Sequence, residues 1–148
     1  MTVFVAAAVF FAAALARWFL ERSSRSDTVH LRGRVELTAV WNEGAAFSLP
    51  ISRGILRMLS AAALGMAWMQ RRYSALGAGL ILGGGGANLY ERLRYGKVYD
   101  YVRFPNAPGR WKNYVCNLAD IAIFLGALML LLRGMQQRRK EKNSQFRH

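Results

Sequence analysis

Asp120 stands where a carboxylate needs a reason. It lies inside an apolar run, flanked by Leu118-Ala119 and by Ile121-Ala122-Ile123. An ionisable group inside a membrane-type helix is expensive unless it faces a polar cavity or a partner, so it is a functional candidate by default. The bland alternative is an Asp that caps the helix N-terminus. Asn117 precedes it by three residues, which puts the two on one helix face. Asn88 and Arg92 lie four apart and share a face of the preceding apolar run, with Glu91 beside them. Two polar faces at the same end of neighbouring helices imply a wet cleft, or a structural hydrogen-bond cluster joining the helices. Asp100 adds a second acid, in the apolar and aromatic stretch Val98-Tyr99-Asp100-Tyr101-Val102. Two carboxylates converging on one cavity of low dielectric do not both ionise readily. One keeps its proton, and the pair can act as general base and general acid on a water molecule, as in an aspartic peptidase. Twenty residues separate the two acids, so spacing alone leaves convergence open.

The elements that must position these groups are apolar blocks. Helices are expected over about 2–20, 51–70, 74–92 and 114–133, each near the ~20 residues that span a ~30 Å hydrocarbon core. The fold class this predicts is an all-α integral membrane protein with four transmembrane helices, in a single domain over 1–148. A cleaved signal peptide is the rival reading of the first block, opposed by the lack of any basic side chain in Met1 to Val9. Segments 21–50 and 93–113 fall on one side of the membrane. Val29, Leu31, Val35 and Leu37 alternate with polar residues, which suggests short strands or a small amphipathic sheet at the interface, between helices 1 and 2. The stretch 94–113, with Pro105, Pro108 and Gly109, reads as an irregular, partly extended excursion. Both sides carry basic residues, so the positive-inside count is ambiguous. The dense basic tail over 134–148 favours cytoplasmic N- and C-termini.

Composition narrows the chemistry. The 148 residues are 53% hydrophobic and carry 21 Lys+Arg against 8 Asp+Glu, a formal charge of +13. Such a charge suits a polyanion or an anionic lipid surface. The cations flank the apolar blocks, which favours membrane lipids, and no nucleic-acid motif is present. One cysteine, Cys116, excludes an internal disulfide framework, and His30 and His148 leave too few ligands for an ordinary zinc site, so no metal is expected. Ser48 lacks a histidine base, and Cys116 reads as a small apolar helix residue. Gly83 to Gly86 is followed by no Gly-Lys-Ser/Thr and reads as helix packing rather than a phosphate loop.

Four clusters in order resemble the lipoprotein signal peptidases (signal peptidase II). Asn42-Glu43-Gly44-Ala45-Ala46-Phe47-Ser48 is similar to that family's Asn-x-Gly-Ala-Ala-Phe-Ser motif. Gly84 to Arg92 resembles its Gly-rich Asn-x-x-Asp-Arg motif, with Glu91 in place of Asp and Ala87 in place of Gly. Lys97 to Val102 resembles its Val-Val-Asp-Phe stretch. Asn117-Leu118-Ala119-Asp120 matches its Phe-Asn-x-Ala-Asp motif, with Cys116 in the Phe position. The family's Asp-x-x-Ser/Thr-Lys at the end of the first helix is reduced here to Ala13-Ala14-Leu15-Ala16-Arg17, which keeps only the cation.

The resemblance implies an intramembrane aspartic endopeptidase of the bacterial inner membrane. Such an enzyme removes signal peptides from diacylglyceryl-modified prolipoproteins, cutting before the lipidated cysteine near the periplasmic face. Asp100 and Asp120 would be the catalytic dyad, and Asn42, Gly44, Asn88, Arg92, Asn117 and Ala119 would line the site. The 29–47 segment would form the periplasmic cradle over the substrate. No cofactor is implied, and a monomer is expected. The alternative is a catalytically silent relative, a membrane binding or accessory protein for lipidated polypeptides.

Overall fold

The computed structural model describes residues 1–23, 29–31, 34–43 and 51–145. Among these, four helices dominate: α1 (Thr2–Arg22), α2 (Arg53–Gln70), α3 (Ala75–Tyr95) and α4 (Leu118–Gln145). The strands are β1 (Val29–Leu31), β2 (Val35–Asn42), β3 (Val98–Arg103) and β4 (Val115–Cys116).

Local chemistry sets the helix ends near the site. Ser74 caps α3, its Oγ accepting the Gly77 N–H at 3.0 Å, which satisfies one of the orphan donors of the first turn. At the other end Gly96 takes a left-handed φ of 75° and donates its N–H to the Arg92 carbonyl at 3.2 Å. Only a residue without Cβ adopts that conformation freely, and it turns the chain directly from α3 into β3.

Helix α3 is central and packs against α1, α2 and α4. It can do so because its contact faces are made of glycine and alanine. A Cβ on Gly79 would sit 2.7 Å from Val5 Cβ, and one on Gly83 would sit 2.5 Å from the Ala6 carbonyl, both on α1. On the α4 side, Gly77 faces Gly126 and Gly84 faces the Ala119 carbonyl. Small residues of this kind let backbones approach where lipid offers no hydrophobic driving force between helices.

The large apolar side chains point outward. Phe4 is 81% exposed and Phe124 68% exposed, with Phe11, Phe19, Met58, Met66, Met69 and Leu131 in the same condition. Among the described residues, two helices are long and apolar enough to cross a membrane, over Thr2–Arg22 and Leu118–Asn143. Only 6% and 17% of the most apolar 18-residue part of each is buried, so neither is the core helix of a water-soluble protein.

The sheet corrects the sequence expectation. It is antiparallel, in the order β1-β2-β3-β4, and so is not confined to the segment between α1 and α2. The stretch 94–113, expected to be irregular and partly extended, supplies β3 as a sheet strand, and β4 is taken from the start of the expected fourth helix. The ladder of β2 needs a partner along its whole length, and Gly96 returns the chain to provide one. Trp41 lies opposite Tyr99 and Asn42 opposite Val98, after an irregularity between Leu37 and Val40. The buried Glu36 lies opposite Arg103 and accepts from its Nε at 2.6 Å. Pro105, which cannot donate to a ladder, follows the end of β3. Helix α4 starts at Leu118 rather than at Tyr114 and continues beyond residue 133 through the basic tail to Gln145.

Candidate active site

Asp100 and Asp120 reach one cavity of about 210 Å³ by different routes. Asp100 comes from the middle of β3, paired with Val40 of β2. Asp120 comes from the first turn of α4. Asn42, Asn88, Arg92, Tyr114 and the α2 residues Ser60, Ala63 and Leu64 complete much of the lining.

Asn117 joins the two acids. Its side-chain oxygen accepts the Asp120 N–H at 2.9 Å, while its own N–H donates to Asp120 Oδ2 at 3.2 Å. This is a reciprocal capping box with Asp in the third position. Because the cap fixes Asn117 Oδ1 toward the helix, its Nδ2 must face the other way. There it donates to Asp100 Oδ1 at 2.8 Å and to Asn88 Oδ1 at 3.2 Å. Asn88 passes the chain on, donating from Nδ2 to Asp120 Oδ1 at 2.7 Å. Asn42 donates to the remaining oxygen of Asp100 at 3.0 Å. Every carboxylate oxygen of the pair therefore meets a donor, and both donor hydrogens of the Asn117 amide are used. The rival sequence readings of Asp120, cap or functional acid, turn out to be compatible: one oxygen caps the helix and the other faces Asn88.

Asp100 is 3% exposed. Burial pushes its carboxyl up to about 7; the Asp120 charge adds to the rise, while the hydrogen bonds from Asn42 and Asn117 and the Arg92 guanidinium oppose it. Arg92 lines the cavity as a fixed cation, and its Nε is buried without a hydrogen-bond partner. Arg57 of α2 donates to the Arg92 carbonyl at 2.9 Å and ties α2 to this end of α3.

Of the residues singled out from sequence, Asp100, Asp120, Asn42, Asn88 and Arg92 share the cavity. Asn117 sits behind the acids as their bridge. Ala119 is buried against Gly84 and acts through helix spacing rather than through a polar atom. Gly44 lies outside the described residues. Two residues went unnoticed in the sequence. Tyr101 accepts the Leu118 N–H through its hydroxyl at 3.1 Å, which anchors the start of α4 on β3. Tyr114 lines the cavity and stands edge-on to Trp111. Tyr101 could have been found from its place beside Asp100, whereas Tyr114 was hidden as the first residue of an apolar block.

The chain is similar to known proteins in sequence and in fold. The family model for signal peptidase (SPase) II matches residues 4–136. A lipoprotein signal peptidase of Methylobacterium sp. (strain 4-46) is 40% identical over 108 residues, covering 66% of this chain and 64% of that protein. The match thus spans slightly less than two thirds of that relative's length. One from Syntrophomonas wolfei subsp. wolfei is 38% identical over 134 residues, covering 85% of this chain and 84% of its own. A solved structure of a bacterial membrane enzyme shares the fold, with a TM-score of 0.81 at 15% identity over 93% of this chain and 88% of that one. With a family match over nearly its whole length and the matched motifs meeting at one cavity, the chain belongs to the signal peptidase II family.

Proposed function

We propose that this protein is an intramembrane aspartic endopeptidase that removes signal peptides from diacylglyceryl-modified bacterial prolipoproteins, cutting before the lipidated cysteine. The observation that carries the proposal is the convergence of Asp100 and Asp120 on one cavity, bridged by Asn117. The pair holds one proton. Asp120 takes a proton from a water molecule, and the resulting hydroxide attacks the scissile carbonyl carbon. Asp100 gives its proton to the carbonyl oxygen, so a neutral diol forms without a free oxyanion. Collapse of the diol breaks the C–N bond: the departing nitrogen takes up the proton held by Asp120, and a diol hydroxyl returns its proton to Asp100 as the carbonyl re-forms, which restores the singly protonated pair. Arg92, with a buried Nε still unmet, would bind a substrate carbonyl and fix the peptide against the dyad.

All four helices would span the bilayer. The 18 residues of α2 reach about 27 Å at 1.5 Å per residue. Its exposed Met58, Leu59, Met66 and Met69 suit lipid, with Arg53 and Arg57 toward one end and Arg71-Arg72 just past the other. The sheet and the dyad would then lie at the periplasmic face, with both termini cytoplasmic and the protein acting as a monomer without a cofactor.

The test is a cleavage assay with purified protein and a diacylglyceryl-modified prolipoprotein, beside the same polypeptide lacking the lipid. Cleavage confined to the lipidated form is expected. No cleavage of either would leave the silent, lipoprotein-binding alternative standing.

The pH profile follows from Asp100. Its proton is present below about 7 and lost above it, so cleavage falls as pH rises through that value. Asn42→Ala removes a donor to the charged form, so its alkaline limb moves to higher pH. An unmoved limb in that variant would detach the limb from Asp100.

A further inference from the structure

Glu91 is a buried acid that the proposed chemistry does not use. It is 7% exposed on α3, yet it does not line the catalytic cavity. Its Oε2 accepts the backbone N–H of Tyr99 at 2.9 Å, and its Oε1 lies 3.8 Å from Arg17 Nε of α1. Arg17 is itself held, pairing with Glu21 at 3.0 Å and donating to the Tyr95 hydroxyl at 2.9 Å. Tyr99 is the residue immediately before Asp100.

We propose that Glu91 is a positioning residue for the dyad: by accepting the Tyr99 amide it fixes the start of β3 on α3, and so sets where Asp100 meets Asn117. Gly96 lets the chain reverse between α3 and β3, and the ladder holds β3 to β2 and β4, whereas the Glu91 bond ties the start of the strand to α3. Glu91 closes that turn from eight residues upstream, and Arg17 keeps its side chain from swinging away. Asp100 carries both its contacts, to Asn42 and Asn117, on the strand so held. A misplacement of about 1 Å at a reacting group costs about 10²-fold in rate, which is the effect expected from losing this clamp.

The inference rests on the peptidase reading, and its test separates the two. Parent protein, Glu91→Gln and Glu91→Ala are compared for kcat and KM on lipidated prolipoprotein, and for hydrogen exchange at the Tyr99 amide. Gln keeps an oxygen acceptor without the charge, so Glu91→Gln is expected to hold kcat within about threefold and to keep Tyr99 protected. Glu91→Ala is expected to lower kcat about 10²-fold with KM little changed, and to speed Tyr99 exchange at least about tenfold. Should Glu91→Ala fail to fold, Glu91→Met replaces it; close to Glu in length but without an oxygen acceptor, it is expected to expose the Tyr99 amide in the same way. Parent-like kcat and exchange in Glu91→Ala would overturn the inference. Equal losses in the Gln and Ala variants would also overturn it, since charge toward Arg17 would then be what matters. A parent that cleaves nothing strikes the peptidase reading alone, because the exchange result still decides whether Glu91 holds β3.

Discussion

Asp100→Asn and Asp120→Asn are each expected to lower cleavage of a lipidated prolipoprotein by about 10³-fold or more. Asn matches Asp in shape and keeps one acceptor, but it can neither take a proton from water nor return one to the substrate. A single positioned acid or base is worth about 10² to 10⁴ in rate, and members of one catalytic unit lose nearly all of it together. The two variants should part company in stability. At position 100 the new NH₂ group can face Asn42, a side-chain amide that can turn its oxygen toward it at the cost of its other contact. At position 120 both oxygens meet donors, and one of these, the Asn117 backbone N–H, cannot turn. The other, Asn88, is tied to the Asn117 amide, which the helix cap holds in place. Asp120→Asn therefore leaves two donors facing each other and is expected to destabilise by about 1–3 kcal/mol, more than Asp100→Asn. Cleavage rates and thermal unfolding in detergent measure both effects. Cleavage that persists in both variants would sink the dyad assignment.

Gly84→Ala is expected to be a damaging single methyl group, because it strikes beside the dyad. Its Cβ would collide with the Ala119 carbonyl, and would lie 3.1 Å from Ile123 Cγ1 and 3.2 Å from the Ala119 carbonyl carbon. The obstacle is mainly backbone, so no side-chain rotation relieves it and α3 must move away from α4. Asn88 lies one turn along α3, and Asp120 directly follows Ala119, so their 2.7 Å hydrogen bond is lost in the same movement. We expect a destabilisation of about 1–3 kcal/mol from overpacking and about a 10²-fold drop in cleavage from the displaced dyad. Gly65→Ala in α2 is the control. A Cβ there meets nothing within 4 Å, and Ala raises helix propensity by about 1 kcal/mol. If the two alanine variants unfold and cleave alike, the close α3–α4 contact is not what sets the site.

These two expectations differ in how far they could be read without coordinates. Asp120 declares itself as a charge inside an apolar run, and Asn88 with Arg92 declares a polar helix face. Gly84 declares much less. In the sequence it is one of a run of small residues, and only the packing shows that it meets Ala119 while Gly83 meets α1. The role of Asn117 was hidden for a related reason. A helix expected from Tyr114 would have made it an interior residue, whereas as the cap of a helix starting at Leu118 it has an oxygen committed to the helix and a nitrogen free for Asp100.

By itself the sequence determined the helical blocks and the residue types able to do chemistry. Helix hydrogen bonds are local, so a run of apolar residues bounded by Ser74 or Gly96 carries its own instructions. A carboxylate inside an apolar run is likewise costly unless a polar cavity or a partner meets it, so its position alone marks it. Tertiary structure alone decided that β3 joins the sheet, that the cap of α4 spans both acids, and that Asp100 and Asp120 share a cavity. Strand pairing is non-local, since a strand's partner is chosen by which other edge the turns bring near. Convergence across twenty residues depends on how closely two helix backbones can approach, and that distance is set where glycine meets a carbonyl on another helix.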